Sequence, residues 1–234
     1  MGDVSRETSS APAPAVLRAI FPPDRLTLIE AYADLLSTEG VTRGLIGPRE
    51  VPRLWDRHLV NCGLLAPLIR AGAEVADVGS GAGLPGLVLA ISRPDLHVTL
   101  VEPMARRVAF LEEMRTRLAL DSVEIVRARA EQWTNPPRFD VVTARAVAAL
   151  PKLLTWAMPL VAEGGEVLAM KGSSAVEEIE AAASELRHWG ARAEIVTSSV
   201  PGSSETTVVR VVRDSAAGLG WDSSSARSRR RGHA

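Results

Sequence analysis

The sequence predicts a doubly wound α/β fold, on three observations. Short apolar runs alternate with helical stretches from residue 74 onward, a glycine-rich turn follows the first of those runs, and the last two runs lie too close together for a crossover helix. The alternation predicts a mainly parallel sheet covered on both faces. The closely spaced final pair predicts an antiparallel hairpin.

Residues 1–15 are rich in Ser, Ala and Pro without periodic apolar positions, and read as an unstructured arm. Pro22-Pro23-Asp24 then supplies a helix start, Leu26, Ile29, Tyr32 and Leu36 recur at helical spacing, and Gly40 ends the run. A second helix follows Pro52, with Leu54, Trp55, Leu59, Cys62, Leu65 and Ile69 on one side and Arg53, Asp56, Arg57 and Asn61 largely on the other. These two helices make a helical extension over residues 16–72, ahead of an α/β core over 73–213, together a single domain. Strands are expected at 75–78, 98–101, 123–126, 139–143 and 167–170, with the hairpin formed by 191–197 and 206–212. A Ser-, Gly- and Arg-rich tail over 214–234 is expected to be unstructured.

Composition removes several function classes. With 27 Lys and Arg against 28 Asp and Glu, the chain has no broad basic surface that would bind nucleic acid by charge alone, so any such binding must be local. Cys62 is the sole cysteine, which excludes an intrachain disulfide and a cysteine-based metal site, and predicts a buried free thiol. No apolar run reaches the length of about 18 residues that a membrane span needs, and the start mixes Asp3, Arg6 and Glu7 with prolines. The expectation is a cytoplasmic protein.

The stretch from Val75 to Gly86 carries the chemistry. Gly79, Gly81 and Gly83 let the backbone turn sharply and approach a ligand closely, and Pro85 suits the first turn of the following helix. Glu102 lies about 20 residues beyond the turn, at the end of the second strand, where a carboxylate can accept both hydroxyls of a ribose. A dinucleotide and an adenosyl sulfonium both satisfy these features. Asp77 favours the sulfonium, since a carboxylate there could neutralise a methionine ammonium and would repel a pyrophosphate. The sole tyrosine, Tyr32, precedes Leu36 and not a lysine, which removes the Tyr-x-x-x-Lys pair of short-chain oxidoreductases, and little chain remains for a second domain. S-adenosylmethionine is therefore the expected cofactor. An NAD-dependent oxidoreductase is the alternative reading, and a small-molecule methyltransferase with the first two helices as a lid is a third.

The residues resemble the bacterial RsmG (GidB) family of 16S ribosomal RNA guanine-N7 methyltransferases over residues 20–213. The match runs through the loop ending Leu84-Pro85-Gly86, then Arg57-His58-Leu59, Arg106-Arg107-Val108, Arg129-Ala130-Glu131, Ala144-Arg145-Ala146 and Met170-Lys171-Gly172. The resemblance implies the class I S-adenosylmethionine-dependent methyltransferase fold. It also implies methyl transfer to a guanine N7 in the 530 loop of 16S ribosomal RNA, and a link to streptomycin susceptibility. Gly79 and Leu84, with Gly81 of the same loop, would border the methionine and ribose, Ala130 and Glu131 the adenine, and Arg145 would project into the site. Arg57, His58 and Lys171 would contact substrate. The implied partner is 16S ribosomal RNA or the small ribosomal subunit; from the residues themselves a monomer is expected, with no membrane and no metal. The chain departs from the family at residues 37–45, which lack its Trp-Asn and Asn-Leu-Thr signature, and at Asn61 and Cys62, where the family has an acid and a serine.

N7 of guanine carries no proton, so its methylation needs no general base. No residue is assigned as acid or base, in keeping with a sequence that offers no Ser-His-Asp or Cys-His constellation. Asn135-Pro136-Pro137-Arg138 imitates the loop of amino-methylating enzymes, but it precedes the fourth strand and ends in Arg138, so it reads as a turn.

Overall fold

A computed structural model describes residues 12–214; residues 1–11 and 215–234, with the tail arginines, lie outside the described residues. The apolar runs form one seven-stranded sheet of order β3-β2-β1-β4-β5-β7-β6. The strands are β1 (Glu74–Val78), β2 (His97–Val101), β3 (Val123–Val126), β4 (Phe139–Arg145), β5 (Val161–Lys171), β6 (Ala191–Ser198) and β7 (Thr206–Arg213). The first five are mutually parallel, and β7 runs antiparallel between β5 and β6. All the expected strands are present, and β5 begins earlier than the sequence indicated.

Eight α-helical segments are described: α1 (Pro14–Ile20), α2 (Leu26–Leu35), α3 (Asn61–Gly63), α4 (Gly86–Ser92), α5 (Ala105–Arg117), α6 (Leu150–Ala157), α7 (Ala175–Ala181) and α8 (Ala183–Trp189). The strand period of two sorts the core into two layers. Val75, Val98, Leu100, Val141 and Leu168 face α2, α4 and α5, whereas Ala76, Val78, Val142, Ala144 and Val167 face α6, α7 and α8. Both faces of β1 and β2 are covered, and the last four residues of each strand are buried.

The helical extension differs in detail from the two regular helices expected. α1 was not anticipated, and α2 passes into a π-helical turn at Leu36–Gly40. The second helix is a 3-10 segment, Pro48–Arg53, followed by π-helical turns at Leu54–Val60 that lead into α3. Pro52 has no N–H to give to a regular ladder, and wide π turns often accompany functional residues. Here they carry Arg57 and His58. Among the described residues no helix is long and apolar enough to cross a membrane.

Candidate cofactor and substrate site

The sheet order reverses between β1 and β4, which opens a crevice beyond the carboxyl ends of these strands. A cleft of about 290 Å³ lies there. Val78 and Gly79 line it after β1, Glu102 to Met104 and Arg107 after β2, Ala128 to Glu131 after β3, Arg145 to Val147 after β4, and Trp156 closes it from α6.

The turn after β1 is held by hydrogen bonds to the end of β2 and within itself. The N–H groups of Gly79 and Ser80 donate to the Val101 carbonyl, those of Gly83 and Leu84 to the Ser80 carbonyl, and that of Gly81 to Glu102 Oε2 at 3.0 Å. Gly79, Gly81 and Gly83 all have positive φ, and a Cβ on Gly79 would stand 2.9 Å from Val147, so glycine is needed at Gly79 for conformation and for space. Tyr32 ties the helical extension to this turn through a buried hydrogen bond of 2.5 Å to the Ala82 carbonyl.

Asp77, read from sequence as a counter-ion for the methionine ammonium, is placed elsewhere. Its side chain lies on the Val75 face of β1, beneath α4. Oδ2 accepts the Gly86 N–H at 2.9 Å, and Thr143 reaches Oδ1 at 3.3 Å. It is fully buried, does not line the cleft, and burial pushes its carboxyl up to about 6. The strand period accounts for this, since an inward position two residues before Gly79 faces the helix and not the crevice.

Glu102 is where the sequence placed it. Although 1% exposed, it borders the cleft; its Oε1 accepts the Met104 N–H at 2.9 Å, and Arg107 lies 3.5 Å from Oε2. Each carboxylate oxygen has two lone pairs, so both retain acceptor capacity for ribose hydroxyls.

Arg145 is brought against Arg57 and His58 of the helical extension. Its Nη2 donates to the Arg57 carbonyl at 3.1 Å and lies 2.7 Å from His58 Nδ1, while Nη1 donates to Cys62 Sγ at 3.2 Å. His58 Nε2 lies 2.8 Å from Glu50 Oε2. Burial, then Arg145, hold His58 below the ordinary histidine range, and burial pushes the Cys62 thiol up to about 11. The Arg57 side chain is 51% exposed near Glu50, facing outward.

Of the expected site residues, Gly81, Leu84, Arg57, His58 and Lys171 are not part of the cleft lining. Leu84 packs against the core on the α4 side. Lys171, with its side chain 10% exposed, pairs with Glu178 at 2.6 Å and donates to the Ala148 carbonyl at 2.8 Å. Of the cleft lining the sequence pointed to Gly79, Glu102, Ala130, Glu131 and Arg145 but not to Met104, Val147 or Trp156, nor to Glu50, which stands outside the lining behind His58. Only Met104 had a local signal, its position just beyond Glu102.

The sheet order, the glycine turn after β1 and the acid ending β2 define a class I S-adenosylmethionine-dependent methyltransferase fold. A solved methyltransferase from Pyrococcus furiosus shares it with a TM-score of 0.51 at 15% identity, covering 64% of this chain and 79% of that one. Sequence sets the family more narrowly. The profile described as rRNA small subunit methyltransferase G matches residues 25–207. The chain is 54% identical to the ribosomal RNA small subunit methyltransferase G of a Nocardioides species, over 99% of this chain and 95% of that protein. It is 51% identical to the Thermobifida fusca protein of the same name, over 89% of each. The chain belongs to the rRNA small subunit methyltransferase G family.

Proposed function

We propose that this protein transfers a methyl group from S-adenosylmethionine to N7 of a guanine in 16S ribosomal RNA. One observation carries the choice of cofactor: six N–H groups of the glycine turn are already committed. Those of Gly79, Ser80, Gly81, Gly83, Leu84 and Gly86 donate to Val101, Glu102, Ser80 and Asp77. A dinucleotide site needs such N–H groups free to cradle a pyrophosphate, whereas an adenosyl sulfonium needs a snug turn and a ribose acceptor. The cleft fits the second description and argues against the oxidoreductase reading.

The cofactor supplies an activated methyl group. Glu102 would hold its ribose, Gly79 would let the backbone approach its methionine end, and Ala130 and Glu131 would border its adenine. N7 uses its own lone pair, so the protein's work is to align acceptor and donor and to exclude water. Arg145, at the meeting point of cleft and helical extension, would hold the guanine, and outward-facing Arg57 would meet phosphate. Lys171 would act through Glu178 and Ala148 by fixing the loop after β4. Glu178 Oε2 also accepts the Leu150 N–H at 2.7 Å, which pins that loop at the start of α6.

The substrate is tested by offering labelled S-adenosylmethionine with small ribosomal subunits, naked ribosomal RNA and metabolite pools. Label at guanine N7 of 16S RNA supports the proposal. Label confined to metabolites overturns it in favour of a small-molecule methyltransferase.

A further inference from the structure

Arg145 reaches the cleft from β4 and is held from behind by the helical extension. Its acceptors are the Arg57 carbonyl, Cys62 Sγ and His58 Nδ1. A guanidinium only donates, so Nδ1 must accept. The imidazole proton therefore sits on Nε2, where it meets Glu50 Oε2 at 2.8 Å. Glu50 thus selects the one neutral tautomer that can receive Arg145. The other would set two donors against each other at 2.7 Å.

We propose that Glu50 and His58 are positioning residues that aim Arg145 into the methyl-transfer site, an inference that rests on the functional reading above. Of the three acceptors, the thiol is weak and the carbonyl cannot change state. His58 alone can turn from acceptor into cation. The charged and titratable groups around it are Glu50 on the 3-10 segment, Arg57 on its own π-helical segment, Cys62 on α3 and Arg145 on β4, with Arg53 acting on Glu50. Burial and Arg145 favour the neutral ring, and Glu50 opposes them. Protonation sets two cations in contact, and Arg145 leaves its position.

Two amide substitutions separate aiming from simple packing. His58→Asn places an amide oxygen near the site of Nδ1, within reach of Arg145; His58→Gln places its polar atoms near Nε2 and offers Arg145 nothing. Wild type, both variants and Glu50→Gln are assayed for labelled methyl transfer to small subunits from about pH 5 to about pH 8, with melting curves for each. Nitrogen NMR of the cofactor-free protein reads the protonation of His58 directly.

The expected results are a proton on Nε2 and none on Nδ1 at neutral pH, and about tenfold more transfer by H58N than by H58Q. The acid limb of wild type should be steeper than that of H58N, and E50Q should move that limb to lower pH by removing the carboxylate that favours the imidazolium. Equal transfer by folded H58N and H58Q, a proton on Nδ1, or identical acid limbs in wild type and H58N would each overturn the inference. If the histidine variants do not fold, the NMR and E50Q decide, and a limb that E50Q leaves in place overturns it. A wild-type protein that methylates no RNA at any pH defeats the functional reading instead, and the ring protonation still decides the geometry.

Discussion

Glu102 and Gly81 are joined across the crevice mouth: the carboxylate that ends β2 accepts the N–H of the central glycine in the turn after β1, at 3.0 Å. The acid expected to hold the ribose therefore also fixes the turn that shapes the pocket. Glu102→Gln replaces an acceptor with an amide that faces either the Gly81 or the Met104 N–H with a second donor. Affinity for S-adenosylhomocysteine should fall about tenfold to a hundredfold, read by calorimetry, for a loss of roughly 1–3 kcal/mol. An unchanged affinity would remove Glu102 from the site.

Two glycines of the loop should respond in opposite order to their backbone angles. Gly81 has a φ of +59° but open space around it, the nearest atom to an added Cβ being the Gly79 carbonyl oxygen at 3.8 Å. Gly81→Ala should cost about 1 kcal/mol of strain. Gly86 has no positive φ, yet an added Cβ would collide with Leu100 and stand 2.7 Å from Asp77 Oδ2. Gly86→Ala should cost more, about 1–3 kcal/mol, because the core beneath α4 must shift. Urea unfolding that ranks G81A as the more damaging contradicts this packing.

Asp77 supplies a pH dependence whose sign follows from burial. Its carboxyl is raised in the folded protein to about 6, above the value of about 3.9 in an unfolded chain. Its favourable contribution is therefore complete below about pH 4 and is lost as pH rises through about 6. Asp77→Asn keeps an oxygen for the Gly86 N–H and does not titrate. Across that window wild type should lose roughly 2–3 kcal/mol relative to D77N. The two stability curves running parallel would show that Asp77 is not the buried strut described here. Because Asp77 does not line the cleft, D77N should also bind S-adenosylhomocysteine within about threefold of wild type, a shift below about 1 kcal/mol.

Arg145→Ala should lower methyl transfer about a hundredfold or more, since misplacement of a reacting group by about 1 Å already costs that much. The melting temperature should fall by a few degrees, because the Arg57 carbonyl, His58 Nδ1 and Cys62 Sγ lose their donor, so transfer is compared where the variant is still folded. A rate equal to wild type in a folded variant would place Arg145 outside the reaction.

What the sequence revealed about this molecule depends on how far apart the interacting residues lie. The strand, turn and helix around Gly79, Gly81 and Gly83 are written in contiguous residues, and Glu102 follows one strand later, so both were legible. The strand period also puts Asp77 on the same face as Val75, beneath α4, whereas its charge beside the glycine turn points to the crevice. The cluster of Glu50, His58, Cys62 and Arg145 was not legible as a unit, because Arg145 meets His58 across 87 residues and no periodicity spans that distance. Nor could residues 54–60 be read as π-helical, since their apolar spacing suits an ordinary helix equally well. Lys171 drew notice because lysine is scarce, but its partner Glu178 is set by the packing of α7 beneath the loop after β4.

The most direct test of the cofactor site is calorimetric titration of the folded wild-type protein with S-adenosylmethionine, S-adenosylhomocysteine and nicotinamide dinucleotides in parallel. Saturable heat from the first two and none from the dinucleotides is the predicted result. Tight dinucleotide binding with no heat from either adenosyl compound would contradict the account.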